Sequence, residues 1–261
     1  DDPNQPHWGT IHIEGAQASG LFEHTNLRNG GAQHLSALML NGSSATFVSG
    51  RIEASSTNGL RVVNNAKLTV IGSTVSGSGN HGVISDNTSE LRLMNSSFSG
   101  NSGYAVFGDG LSPVIAGNTF EGSFGLFMIQ PQVVDFSSNT FRNVNQVVFR
   151  GGAGVGLAGW ENTTFVNVTG GVELMGGEIS RDATWLANLP HKLESALSVA
   201  QGVTLTLQPG LMVRASSQQL LVRGRILSQG TAASSVTFTN HTNDPNQQHW
   251  GSIHIEGAQA S

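Results

Sequence analysis

The 261-residue chain has no cysteine, one tyrosine and four tryptophans, and its only lysines are Lys67 and Lys192. Without cysteine, a disulfide-stapled scaffold and a thiolate metal site are both excluded. Charged residues make up 11% of the chain and the net charge is −5, so a nucleic-acid partner has no electrostatic footprint. No run of 18 apolar residues is present, which excludes a membrane-spanning helix and with it membrane insertion. No signal peptide is visible, as expected of an internal unit taken from a longer chain. The absence of cysteine is compatible with a bacterial cell surface, where long repeat proteins are stabilised by stacking.

What the chain does contain is repetition. Asp2–Ser19 reads DPNQPHWGTIHIEGAQAS and Asp244–Ser261 reads DPNQQHWGSIHIEGAQAS, so 16 of 18 positions match at an offset of 242. The differences are Pro6/Gln248 and Thr10/Ser252. The simplest expectation is one repeat unit over residues 1–243, with residues 244–261 opening the next. Repeats of this kind stack, each burying a face its neighbour needs covered.

A shorter period runs inside the unit. Short polar runs end on apolar anchors at Leu27, Ile52, Val75, Phe98, Phe120, Phe141 and Phe165, spaced by 25, 23, 23, 22, 21 and 24 residues. Just before the later anchors stands a hydroxyl column, Thr74, Ser97, Thr119, Thr140 and Thr164. Leu68-Thr-Val70, Leu91-Arg-Leu93 and Val203-Thr-Leu205-Thr-Leu207 alternate as half-buried strands do. Gly, Asn, Ser and Thr fill the intervals, as corners require. These features predict an all-β parallel solenoid of about 11 coils of about 22 residues, with inward apolar columns and Asn and Ser/Thr ladders at the bends. At about 4.8 Å per coil, one unit would rise roughly 50 Å. The one helix candidate is Ala183–Val199; Pro190 interrupts it, and a lateral loop is the competing expectation.

The segment Val199–Ile255 contains VAQGVTLTLQPGLMVR, LLVRGRILSQGT, VTFTN and HWGSIHI in succession. That succession resembles a block of large bacterial surface and adhesin-like proteins. The Phe98–Phe165 coils are similar to the generic repeat of the right-handed parallel β-helix group, which includes the pectate-lyase-like enzymes. The resemblance implies a right-handed β-helix along nearly the whole chain.

Polygalacturonase-like members of that group carry an Asp cluster with His and an Arg-Ile-Lys run, and pectate lyases carry calcium-binding Asp residues with an Arg base. Neither pattern is present. Asp86, Asp109 and Asp135 occupy different places in their coils and form no carboxylate pair of the kind glycoside hydrolysis needs; they read as turn and face residues. No catalytic residue and no cofactor are assigned, and calcium between coils has no support. In Ile11-His-Ile-Glu14 and Ile253-His-Ile-Glu256, strand alternation turns the isoleucines inward and sets His12 beside Glu14, and His254 beside Glu256, on an outer face. Such pairs are the weak metal candidates of the chain: a divalent ion would need a third ligand from the next coil, none stands out, and surface polar residues are the plainer reading. His7-Trp8 and His249-Trp250 place a packing ring at a coil corner. Asn41, Asn87, Asn95, Asn162, Asn167 and Asn240 head Asn-x-Ser/Thr sequons, as chance allows in such a composition.

The expectation that absorbs most of these features is a structural repeat of an extracellular bacterial fibre, stalk or adhesin shaft. Its partners would be identical units head to tail, then neighbouring fibres or surface glycans. A carbohydrate-binding surface module, or a polysaccharide lyase or hydrolase on the same scaffold, are the alternatives.

Overall fold

A computed structural model describes residues 8–86, 88–108, 113–122, 124–129, 133–153, 156–158, 160–241 and 250–257. The chain divides into two units, Asp1–Val148 with Leu157–Thr169, and Phe149–Gly156 with Gly170–Ser261. Each is a parallel β-solenoid whose chain visits three sheets in turn. In the described residues the only helix is a single 3-10 turn, Trp160–Asn162. None is long and apolar enough to cross a membrane.

In the first unit, the first sheet runs from Ile11–Glu14 through Ser36–Asn41, Asn58–Val63, Val83–Ser85 and Tyr104–Gly108 to Phe124–Met128. The second starts at Ser19–Glu23 and passes through Ser44–Val48, Lys67–Ile71, Glu90–Met94 and Val114–Ala116 to Val133–Asp135. The third contains seven three-residue strands from Asn26–Arg28 to Thr164–Val166. Three residues make no stable strand alone; stacking does. The parallel register links Leu27, Ile52, Val75, Phe98, Phe120, Phe141 and Phe165 one above another, which is the anchor series read from the sequence. Leu27 through Phe141 are buried. The Phe98, Phe120, Phe141 and Phe165 rings follow each other at centroid distances of 5.3, 4.9 and 5.8 Å, at interplanar angles of 19–25°. Thr74, Ser97, Thr119, Thr140 and Thr164 form the adjoining column.

The corner between the second and third sheets shows why Asn, Ser and Gly are needed there. Ser49, Gly72, Asn95, Gly117 and Ser138 all take the left-handed conformation, with φ between 50° and 68°, where glycine and asparagine are least strained. The residue after each of Gly72, Asn95, Gly117 and Ser138 turns its side chain in to serve the previous rung. Ser73 Oγ accepts from Gly50 N, Ser96 Oγ from Ser73 N, Asn118 Oδ1 from Ser96 N and Asn139 Oδ1 from Asn118 N, at 2.9–3.2 Å. Asn118 Nδ2 also donates to Leu93 O, and Asn139 Nδ2 to Ile115 O. These groups are buried, and each unpaired one would cost about 1–3 kcal/mol. The ladder therefore fixes the rung spacing as well as satisfying the bend.

In the second unit the sheets are Gly171–Leu174, His191–Leu193, Met212–Ala215 and Thr237–Thr239; then Gly177–Ile179, Leu197–Val199, Gln219–Val222 and Ser252–Ile255; and finally Ala183–Trp185, Thr204–Leu207 and Arg225–Ser228. The stretch Ala183–Val199 is neither helix nor lateral loop. It contributes three strands, one to each sheet, because its apolar residues Trp185, Leu186, Leu189, Leu193, Leu197 and Val199 are all buried. Pro190 sits just before a strand, where its missing N–H is harmless and its carbonyl accepts from Val172 N at 2.9 Å.

Coil length varies with the corners. Leu38, Leu60, Val83, Val106 and Leu126 share one inward column at spacings of 22, 23, 23 and 20 residues. Leu174, Leu193 and Ala215 in the second unit are 19 and 22 apart.

Candidate functional site

The duplicated rung is the feature of the sequence that ordinary packing does not require, and the structure shows its two copies from opposite sides. In the first copy, Ile11–Glu14 pairs with the rung that follows it, with Ile11 opposite Leu38, Ile13 opposite Leu40 and Glu14 opposite Asn41. Four polar contacts hold it there. Thr10 Oγ1 donates to Ser36 O at 2.7 Å, Ser43 Oγ to Ile13 O at 2.7 Å, Gly15 N to Asn41 O at 2.9 Å, and Asn41 Nδ2 to Glu14 Oε1 at 2.9 Å. Trp8 lies over Gly30, where its indole edge fills the space a Cβ would need, and its Nε1 donates to Arg28 O.

In the second copy, Ser252–Ile255 pairs with the rung that precedes it. Ile253 is opposite Leu220 and Ile255 opposite Val222, both fully buried. The two isoleucines thus continue inward columns, yet they are 40% and 47% exposed, among the few large apolar side chains so placed. Trp250 Nε1 donates to Thr239 O at 2.6 Å and its ring meets Phe238 edge-on at 5.5 Å. Both tryptophans therefore act as corner rings whose indole N–H closes onto a backbone carbonyl. Gly15 and Gly257, which follow the copies, share a left-handed corner with φ of 97° and 98°.

The four weak metal candidates are distributed unevenly. His254 Nε2 lies 3.3 Å from Glu256 Oε2, and Glu256 Oε1 also takes Arg223 Nε at 3.1 Å. In the first copy the two residues part company: Glu14 turns to Asn41, while the His12 ring packs on His34 with centroids 4.6 Å apart and its Nε2 is buried without a hydrogen-bond partner. Among the described residues no three His, Cys, Asp or Glu side chains converge on one point.

Other acidic groups are tied across rungs. Glu53 meets Arg28, Glu90 meets Lys67, and Glu173 lies between Arg150 and Lys192. The exposed Lys67–Glu90 pair is worth at most about 1 kcal/mol. Asp86 is a corner acceptor for Asn64 N, Thr88 N and the Thr88 and Ser89 hydroxyls. Burial pushes its carboxyl up, and these four hydrogen bonds outweigh that and hold it below the usual aspartate value. Asp135 is exposed in a strand. Of the other residues singled out in the sequence, His7, Asn87, Asp109 and His249 lie outside the described residues.

A cluster that the sequence did not disclose sits on the outer face of the first unit's first sheet. The column His12, Met39, Arg61, Ile84, Phe107, Phe127 points outward, and its last members meet Tyr104, Phe124 and His81. Ring centroids lie 4.8 Å apart for His81–Phe107, 5.1 Å for Tyr104–Phe124, 5.2 Å for Tyr104–Phe127 and 4.9 Å for Phe107–Phe127. All five rings are half-buried. His81 Nδ1 accepts from Tyr104 N at 3.0 Å, and burial lowers its pKa, so the ring is neutral near pH 7. The strands YAVFG and FGLFM are apolar on both faces, so no alternation marked their outer side.

A family model described as a right handed beta helix region matches residues 9–177, more than half the chain. The chain belongs to the right-handed β-helix family. A second model, a pectate-lyase like beta helix domain, matches residues 177–261. No curated protein and no solved structure is significantly similar to the chain. Membership of the β-helix family accounts for the handedness of the crossovers, as expected of parallel strands joined in one sheet. The fold is also one on which polysaccharide-degrading enzymes are built.

Proposed function

We propose that this β-helix is a structural repeat of an extracellular bacterial fibre, stalk or adhesin shaft, extended by stacking one unit on the next. The observation that carries this reading is the duplicated Ile-His-Ile rung. One copy is paired only on its later side, the other only on its earlier side, among the described residues. Superposed as one rung, the two environments would join the second unit's second sheet, ending at Gln219–Val222, to the next unit's first sheet, beginning at Ser36–Asn41. Ile253 and Ile255 then leave solvent, which is the outcome their inward register calls for. The experiment is small-angle scattering on a two-unit protein that shares one such rung. Stacking adds roughly 50 Å of length at constant cross-section. Two separately tumbling bodies would defeat the proposal.

A glycan-binding surface is the second reading, favoured by the half-buried outer cluster of Tyr104, Phe107, Phe124 and Phe127, since aromatic rings stack on sugars. Tyr104→Ala is expected to abolish signal on a glycan array without changing the unfolding midpoint by more than a small amount. No array signal from the parent protein would remove this reading.

A further inference from the structure

The corner that leads into Ser36–Asn41 is longer than the three that follow it. Leu38 comes 11 residues after its anchor Leu27, whereas Leu60, Val83 and Val106 come 8 after Ile52, Val75 and Phe98. The extra length forms a loop, residues 32–35, that is exposed throughout. Hydrogen bonds dock it on the neighbouring chain: Gly31 N donates to Gly9 O, Ala32 N to Trp8 O, and Thr10 Oγ1 to Gln33 O. His34 and Leu35 are both left-handed, at φ of 47° and 57°, a conformation leucine occupies poorly. Leu35 is 58% exposed, so apolar burial does not account for that geometry. Backbone strain of this kind collects at ligand-binding sites.

The loop brings three nitrogen-bearing side chains together. Its His34 ring lies on the His12 ring, with centroids 4.6 Å apart, and its His34 carbonyl accepts from Arg61 Nη1 at 3.4 Å. His12 and Arg61 flank Met39 in one outward column, so the guanidinium reaches across Met39 to the loop. His12 Nε2 is shielded from solvent and has no hydrogen-bond partner. Among the described residues Arg61 has no carboxylate partner. Glu14, the acid on the same strand, is turned to Asn41, and Arg28 at the corner is paired with Glu53. In the second copy, by contrast, His254 lies against Glu256.

We propose that His12, His34 and Arg61 form a binding site for a tetrahedral oxyanion, a sulfate or phosphate group, free or as a sugar ester. Imidazolium N–H groups and a guanidinium fork donate from more than one side, which suits an anion with oxygens on every face. The anion supplies the acceptor that His12 Nε2 lacks, reaching it once the exposed His34 side chain turns aside. A divalent cation is the rival ligand for paired histidines. The Arg61 charge opposes it, as does the absence of a third His, Cys, Asp or Glu ligand among the described residues. The cluster lies on the outer face of the sheet, so a strand preceding Ile11–Glu14 would extend the sheet beside it without covering it. The inference goes beyond both readings above, since neither stacking nor the outer rings need these three residues.

Affinity rises as pH falls through the histidine range, because the anion favours the protonated rings. The charged groups facing the pair are Glu14 on the same strand and Arg61 two strands on; the strand between, Ser36–Asn41, carries none. The test is titration of the 261-residue protein with sodium sulfate at pH 6 and pH 8, ionic strength held with chloride. NMR follows the imidazole protons of His12 and His34, assigned among the nine histidines with His12→Gln and His34→Gln proteins. Both signals are expected to shift together and saturate, with affinity at least about tenfold higher at pH 6, and Arg61→Gln should weaken it at least about tenfold. Arg61→Lys, which keeps the charge without the fork, should fall between. If Arg61→Gln lowers the unfolding midpoint, His34→Gln on the exposed loop gives the same comparison. Glucose 6-sulfate distinguishes the sources: binding tighter than inorganic sulfate assigns the group to a sugar ester, equal binding to the free oxyanion, and both meet the proposal. Shifts that do not saturate, that glucose or chloride reproduces, or that survive unchanged in Arg61→Gln would overturn it. Saturation by zinc chloride in place of sulfate would overturn it as well.

Discussion

Phe120→Asp is expected to unfold the coils around it. Phe120 is 1% exposed and stacked between Phe98 and Phe141. Removing such a ring costs about 3–5 kcal/mol, and a carboxylate left without a partner in an apolar column adds a further desolvation cost. A total above about 5 kcal/mol is comparable with the whole stability of many domains. Phe120→Leu, which keeps the column apolar, is expected to cost no more than about 2 kcal/mol. Urea midpoints for the three proteins check this. Because each coil of a solenoid contacts only its neighbours, amide exchange should accelerate most between Val75 and Phe165. An Asp variant that unfolds at the parent's midpoint would mean that the ring does not face inward.

Acid is expected to weaken the second unit through His191. This side chain is buried in a column between Val172 and Val213, its ring stacks on Trp185 at 5.2 Å, and its Nδ1 lies 3.1 Å from Leu189 O. Burial pushes its pKa down to about 4 from 6.5, against the smaller upward pull of that carbonyl. The unfolded chain therefore binds a proton below pH 6.5 that the folded chain refuses. Stability from this group is complete above pH 6.5, falls by up to about 1.4 kcal/mol per pH unit below it, and is diminished by about 3 kcal/mol near pH 4. His191→Leu suits the apolar column and should flatten that dependence. Urea titrations followed by tryptophan fluorescence at pH 7 and pH 4.5 compare the two proteins; equal losses in both would show that other groups govern the acid limit.

The third sheet of the first unit was legible in the sequence because its anchors are large, invariably apolar and fixed to a corner whose chemistry hardly changes. A Gly, Asn or Ser in the left-handed region precedes a Ser or Asn ladder residue, and the Thr or Ser and the anchor follow. The same regularity is missing in Ala183–Val199. There the coils are shorter, the corner between the second and third sheets carries Ser180, Arg181 and Asp182 in place of the Asn ladder, and buried leucines fall at spacings that mimic a helix. The outer aromatic cluster was hidden for a different reason. Tyr104, Phe107, Phe124 and Phe127 share strands with inward Val106 and Leu126, so period-two alternation disappears. Nor could the sequence tell that Glu14 would leave His12 for Asn41, since that partner arrives 27 residues later from the next coil.

Amide hydrogen exchange at the junction of a two-unit protein tests rung continuity most directly. If the Ile-His-Ile strand is paired on both sides, its amides will exchange as slowly as those of an interior strand such as Leu60–Val62, and far more slowly than Ile253–Ile255 in the single unit. Equal, fast exchange in both proteins would mean that the duplicated strand never receives a second neighbour, and the stacked-repeat account would be wrong.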